Sequence, residues 1–365
     1  MPLDPLPPFV PGLRLSERFF HAAVRPLLAE RFPGLAYAAG RLDRGSDVLG
    51  FDTAQSRDHH WGARLTLFLG EDDYRAHADA ILALMGEELP FTVDGYPTHF
   101  DRPGFDGGLI AFTDRRPIAH GVTVTTPARF TAEYLGVDAT REVGELDWLA
   151  IPSQRLGTVR AGRLFHDRIG LEAVRERLRW YPRDVWLYRM ACQWVRVAQE
   201  EAFAARAGDA GDELGSRLVA ARQVIELMRL CFLAEREYAP YWKWFGSAFA
   251  RLACAPRLTP VFHAVLDAGG WKAREAALGP AYLHAGEMHN ALGVTAPLEA
   301  RMAPFHGRPY LVPHADRFAE ALRGAIRSER LRALPAYGAV DQFADSTDVA
   351  EDVGGMRALT AIYRT

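Results

Sequence analysis

Residues 45–69 restrict the possible folds of this chain more than any other stretch. Gly45-Ser46-Asp47-Val48-Leu49-Gly50 reads as a small-residue turn. After a short connection comes Asp58-His59-His60-Trp61-Gly62, polar and metal-competent, and then a strand from Ala63 to Leu69. In that strand Ala63, Leu65, Leu67 and Leu69 alternate with Arg64, Thr66 and Phe68, the period of a sheet with distinct faces. Successive side chains in a strand point to opposite faces, so Asp58 and His60 are expected to share one face while His59 points away. A carboxylate beside an imidazole, within reach of a Gly-Ser turn, can bring a divalent ion up to a phosphate.

The surrounding elements follow from periodicity. Arg14 to Arg31 is expected to be helical, with Leu15, Phe19, Ala22, Ala23 and Leu27 at helical spacing. Pro33-Gly34 breaks it, and Leu35 to Ala39 is the first expected strand. Asp73 to Glu88 is expected to be a helix, with a stripe of Ala80, Ile81, Leu84 and Met85. The stretch 90–116, rich in Gly, Pro and Asp, reads as loop with short strands. The β-branched run from Gly121 through Thr126 is a third strand, and 130–135 a short helix.

From Phe165 onward nearly everything reads as helix. Pro182 and Asp184 open a helix to about Arg206, on which Glu201 falls at the edge of the apolar stripe and Glu200 points nearly opposite. A second helix spans about 216–238, with Arg222, Glu226 and Arg229 as its polar stripe. Pro240 opens a third, with Trp242, Phe245, Phe249 and Leu252 on one face. The expectation is an α+β chain: a small mixed sheet with helices over 1–160, then an all-α bundle over 161–365. The segment 297–313 looks irregular, and the last hundred residues suggest no role.

Composition narrows the function classes. With 365 residues and 49% hydrophobic content there is ample material for a buried core. A formal net charge of -3 gives no general attraction to nucleic acid, which is not expected as a partner. The residues Cys192, Cys231 and Cys254 fit no zinc spacing and read as buried small hydrophobes. No apolar run reaches the roughly 20 residues needed to span a bilayer. The opening residues, proline-rich and without a basic and apolar leader pattern, fit a cytoplasmic protein.

Gly45-Ser46 followed by Asp58-His59-His60 at the mouth of a strand resembles the motif of the nucleotidyltransferase superfold. That superfold is shared by aminoglycoside (kanamycin-type) nucleotidyltransferases and DNA polymerase β. More closely, the chain resembles a bacterial family of uncharacterised proteins. These join a nucleotidyltransferase-like N-terminal half to a helical domain of unknown function. The segments Gly45 to Gly50, Asp58 to Arg64, Phe165-His-Asp, Trp180 to Trp186, Gln199 to Phe203, Gly211 to Leu218 and Tyr238 to Phe245 carry this likeness. Two departures from the superfold stand out: His60 replaces its second carboxylate, and Val122-Thr123-Val124 lacks the third.

The resemblance implies transfer of a nucleotidyl group from a nucleoside triphosphate to a small hydroxyl or amino acceptor, with magnesium or manganese. Gly45 and Ser46 would cradle the phosphates, Asp58 and His60 would hold the ion, and Asp47 or Glu201 could complete the site. Glu201 would act as general base, and Arg64, Lys243 or Arg222 would neutralise the triphosphate. Each has a plain rival. Asp58 and His60 could cap a strand, Glu201 could pair with an arginine across the bundle, and Asp212 and Glu213 could cap a helix. Trp242-Lys243-Trp244 could simply pack, and Arg222, Glu226 and Arg229 could form an intrahelical ion-pair stripe. The runner-up function is a catalytically silent relative that senses a nucleotide or holds a partner; a transition-metal hydrolase site is the third. The acceptor, the base of the nucleotide and the oligomeric state are left open by the sequence.

Overall fold

The alternation read from residue 63 is realised in the computed structural model as strand β2 (Arg64–Leu69). The structure describes residues 6–57, 60–101 and 108–363. The chain forms two compact units, one of residues 1–143 and 155–179, the other of 144–154 and 180–365.

The first unit opens with α1 (Gly12–Phe19), a π-helical turn (Phe20–Val24) and α2 (Arg25–Arg31), where the sequence predicted one helix. The π turn has a packing reason. It shifts the helical phase so that the consecutive Phe19 and Phe20 are both fully buried. Then come β1 (Tyr37–Arg41), β2 (Arg64–Leu69) and α3 (Glu71–Glu88). Two short hairpins follow, β3 (Thr92–Val93) with β4 (Tyr96–Pro97) and β5 (His99–Phe100) with β6 (Ile110–Ala111). Strand β7 (Gly121–Thr125) and helix α4 (Pro127–Leu135) complete this run. The chain contributes α5 (Glu145–Ala150) to the second unit. It then supplies α6 (Ser153–Ala161), β8 (Arg163–Asp167) and α7 (Leu171–Arg177), mostly to the first.

The sheet order is β7-β2-β1-β8, with β2 parallel to β7 and β1 antiparallel to both neighbours. Its mixed character agrees with the sequence expectation, but β8 (Arg163–Asp167) does not: from Phe165 onward the sequence reads as helix. Tyr37, Ala39, Leu65, Leu67, Leu69, Val122 and Val124 face one side. They pack against Phe19, Phe20, Val24, Ile81 and Met85 of the helices. On the other face Phe68 meets Phe130 of α4 edge-on, with centroids 5.2 Å apart.

The second unit is mostly helical. After α5 it resumes with α8 (Arg183–Glu200), α9 (Phe203–Asp209), α10 (Glu213–Ala234), α11 (Trp242–Phe249), α12 (Ala255–Asp267) and α13 (Trp271–Ala291). The helix expected to run from 182 to 206 is interrupted at Glu201-Ala202. The irregular segment holds a short ladder, β9 (Ala303–Pro304) with β10 (Leu311–Val312), so the unit is not purely α. Helix α14 (Asp316–Ala325) then packs against α8. No helix among the described residues is long and apolar enough to cross a membrane.

Register between β1 and β8 shifts at Ala39/Gly40. A Cβ on Gly40 would lie 2.4 Å from the Arg163 carbonyl oxygen, on backbone that cannot swing aside. Gly246 of α11 has no atom within 4 Å of its would-be Cβ. In urea unfolding, Gly40→Ala is therefore expected to lose about 1–3 kcal/mol. Gly246→Ala should gain up to about 1 kcal/mol. Equal effects would contradict the close approach of β1 and β8.

Candidate functional site

The end of β1 organises the site. Arg41 is buried, 3% exposed, and its fork of donors binds four partners. Nη1 donates to Asp43 Oδ1 at 2.7 Å. Nη2 donates to the Arg44 carbonyl at 3.1 Å and the His60 carbonyl at 3.0 Å. It also meets both oxygens of the buried Asp47 at 3.3 Å. Burial opposes the arginine's charge, but Asp43 and Asp47 hold its pKa above the ordinary value. Burial also pushes the Asp47 carboxyl up, with Arg41 pulling it back. Arg41 is thus the fixed charge on which the cluster is built.

The Gly-Ser turn wraps this pair. The Gly50 amide donates to the Asp47 carbonyl at 3.1 Å and the Phe51 amide to the Ser46 carbonyl at 2.8 Å. Gly45 has φ +140, and a Cβ there would fall 2.0 Å from Asp47 Oδ1. Glycine is required at 45 by the carboxylate beside it, which is a structural reason independent of any ligand. The following Asp52 accepts the Gly12 amide at 2.7 Å, which fixes the start of α1.

Asp58 and His59 lie outside the described residues. His60 is described and corrects the expected geometry. It sits in a bend at φ +53, four residues before β2, so strand alternation does not assign its side chain to a face. Burial depresses its pKa to about 4, keeping the imidazole neutral at neutral pH; Asp43 opposes this, while Arg64, Arg41 and Arg44 reinforce it. Arg64 opens β2. Its guanidinium lies 4.0 Å from the Phe100 ring centre and donates to the Gly108 carbonyl at 3.1 Å. Its buried Nε has no hydrogen-bond partner. Among the described residues no carboxylate forms an ion pair with it. Burial and then Arg41 lower its pKa to about 10, and it stays charged at neutral pH.

Arg41, Asp43, Asp47, His60 and Arg64, with the turn, therefore come together in the first unit. Among the described residues no group of three or more His, Cys, Asp or Glu could hold a metal. Asp47, expected as a supplementary ligand, is engaged by Arg41. The donors left are the neutral His60 imidazole, an Asp43 carboxylate that also binds Arg41, and an Asp52 carboxylate that also accepts the Gly12 amide. Magnesium and manganese favour sets of oxygen ligands, and these described residues do not fit them. Sequence reasoning missed Arg41 and Asp43. The available signal was an arginine at a strand end with acids two and six residues on, ahead of the Gly-Ser turn.

Glu201, Lys243 and Arg222 belong to the second unit. Glu201 is 8% exposed and accepts the Ala315 amide at 2.9 Å, at the start of α14. Among the described residues no arginine forms an ion pair with it across the bundle; that role falls to Glu200, 3.1 Å from Arg222. Burial raises the Glu201 pKa to about 7, against the Ala315 bond. Glu226 is not in a surface stripe with Arg222. It is buried, bonded to Arg196 at 2.7 and 2.9 Å and to Gln193 at 2.6 Å. Lys243 is exposed, its ammonium 5.1 Å from the Trp244 ring centre. Asp212 caps α10 through the Gly215 amide at 2.7 Å.

The family described as "Domain of unknown function (DUF4037)" matches residues 148–245. No curated protein matches the chain. Among solved structures, a nucleotidyltransferase-like protein from Exiguobacterium sibiricum 255-15 is similar at a TM-score of 0.32 and 13% identity. The match covers 79% of this chain and 83% of that one.

Because the Glu201 pKa is raised from 4.5 to about 7, the folded chain holds this proton more tightly than the unfolded chain. The group's stabilising contribution is complete below about 4.5 and is lost as pH rises through about 7. Over that window native stability should fall by at most about 3 kcal/mol relative to Glu201→Gln. Urea midpoints at a series of pH values check this, and parallel profiles would refute it.

Proposed function

We propose that the first unit binds a nucleoside triphosphate, as a nucleotidyltransferase-like chain would, and meets its phosphates with arginine side chains instead of a magnesium ion. Arg64 carries this reading. It is a half-buried guanidinium with an unbonded Nε and no described carboxylate partner, pressed toward Arg41 and the neutral His60. Such a charge gains most from a bidentate anion, and phosphate matches the guanidinium fork. The geometry favours the catalytically silent alternative, a nucleotide-sensing or partner-holding protein, because Asp47 is engaged by Arg41 and His60 offers nitrogen where magnesium favours oxygen.

Nucleotidyl transfer to a small hydroxyl or amino acceptor is the second reading. Burial pushes the Glu201 carboxyl of the second unit up to about 7, the range of a general base. Against it, one Glu201 oxygen already serves the Ala315 amide. The two readings differ in their dependence on metal and on Asp58.

Calorimetry with ATP, GTP, CTP and UTP, in chelator and then with magnesium or manganese, separates them. At least one triphosphate should bind in chelator. Arg64→Gln should weaken it about tenfold or more, the loss of a charge-assisted bidentate contact. Asp58→Ala should leave it unchanged. Binding that needs the metal and disappears with Asp58→Ala would instead establish the transferase-type site. Absence of binding by every triphosphate would end both readings.

A further inference from the structure

Three sulfur atoms from separate parts of the second unit converge. Cys231 lies on α10, Cys254 is the N-cap of α12, and both are buried. Their thiols are hydrogen-bonded to one another. The Cys231 Sγ is 4.0 Å from Sδ of Met288 on α13. Beside them runs a crevice lined by Met190, Trp194, Cys231, Met288 and His289 that leaves no room for a water molecule. The His289 ring is 1% exposed, and its Nδ1 has no hydrogen-bond partner, while Nε2 bonds Thr295 Oγ1 at 2.9 Å. A buried orphan nitrogen and clustered sulfurs in a dry crevice are more than apolar packing requires.

We propose that Cys231, Cys254 and Met288 form a binding site for one soft monovalent cation of the copper(I) class. Thiolate and thioether ligands select such ions. Zinc completes a tetrahedron of four nitrogen, sulfur or oxygen ligands, and this trio cannot supply one. Hard cations such as magnesium bind oxygen and are excluded by the same chemistry. On binding, two S–H bonds break, two copper–thiolate bonds and one copper–thioether bond to Met288 form, and two protons leave to solvent. No electron is transferred. The resulting bis-thiolate carries one negative charge. It lies at the N-terminus of the 13-residue α12, whose dipole favours it. The Glu235 carboxylate, which accepts the Ala253 and Cys254 amides at 2.6 and 2.8 Å, works against that charge. Cys192, whose thiol is bonded to Tyr188, is outside the trio and serves as control.

The test is anaerobic titration of the full chain with copper(I) held by a chromogenic competing chelator, with proton release measured in parallel. The native protein should take one equivalent and release two protons per copper. Cys231→Ala and Cys254→Ala should lose that equivalent, and Cys192→Ala should keep it. Met288→Leu, nearly isosteric, should weaken binding about tenfold. Zinc should not compete. The proposal is overturned if the native chain takes no copper, or if both cysteine variants still take a full equivalent. Circular dichroism shows whether the cysteine variants fold. If they do not, undiminished affinity in Met288→Leu or release of fewer than two protons overturns it equally.

Discussion

Much of the first unit's irregular architecture hangs on the Arg41–Asp47 ion pair. A buried charge is tolerated only when paired and hydrogen-bonded, and removing one partner leaves the other uncompensated at a cost of several kcal/mol. Arg41 distributes its donors over Asp43, Asp47 and the carbonyls of Arg44 and His60, the farthest of them 19 positions along the chain. It thereby pins the turn to the connector that returns toward β2. Lysine, with a compact ammonium instead of a planar fork, could not reach these directions together. The same pair dictates glycine at 45 and keeps Asp47 from serving a cation.

How much of this was legible follows from the kind of signal each element leaves. Strand β2 and helix α3 declared themselves by period, and the start of α8 by Pro182 and Asp184, because burial on one face writes a pattern into the sequence. Strand β8 left none. Arg163-Leu-Phe-His-Asp is five residues at the edge of the sheet, paired on one side only, and its residues are exposed or half-buried. The break at Glu201-Ala202 was equally silent, with no Gly or Pro to mark it. His60 was misread for a related reason: a histidine in the left-handed region gives no compositional warning, and strand alternation was carried four residues too far.

Two carboxylates in the helical unit show why site residues were harder to read than elements. Glu201 and Glu226 are both buried, although in sequence Glu226 sits among apolar neighbours and Glu201 follows Gln199 and Glu200. Burial works to raise both, but Glu226 has Arg196, Arg229 and Gln193 and ends below its ordinary value. Glu201 has one backbone amide and is pushed up to about 7. The difference is made by residues about 30 and 114 positions away, Arg196 and Ala315, so no local window contains it. Charge state is a property of tertiary surroundings.

The same reasoning explains the final segment, which suggested no role in sequence. It is held by polar bonds that read as surface chemistry until folded. Asp341 accepts from Arg189 at 2.8 Å and from the Ser153 amide at 2.8 Å. Gln342 donates to the Arg189 carbonyl and to Gln193 Oε1, both at 3.0 Å. Gln193 in turn holds Glu226. A continuous chain of buried polar groups therefore links the C-terminal segment to α8 and α10. Each link is satisfied only in one register, because a slipped helix would leave a buried donor or acceptor unpaired at about 1–3 kcal/mol apiece. Apolar burial supplies most of the driving force for the bundle, but it is forgiving of small shifts. The polar chain is what singles out one arrangement, and its members, scattered from residue 153 to 342, are invisible to any periodicity.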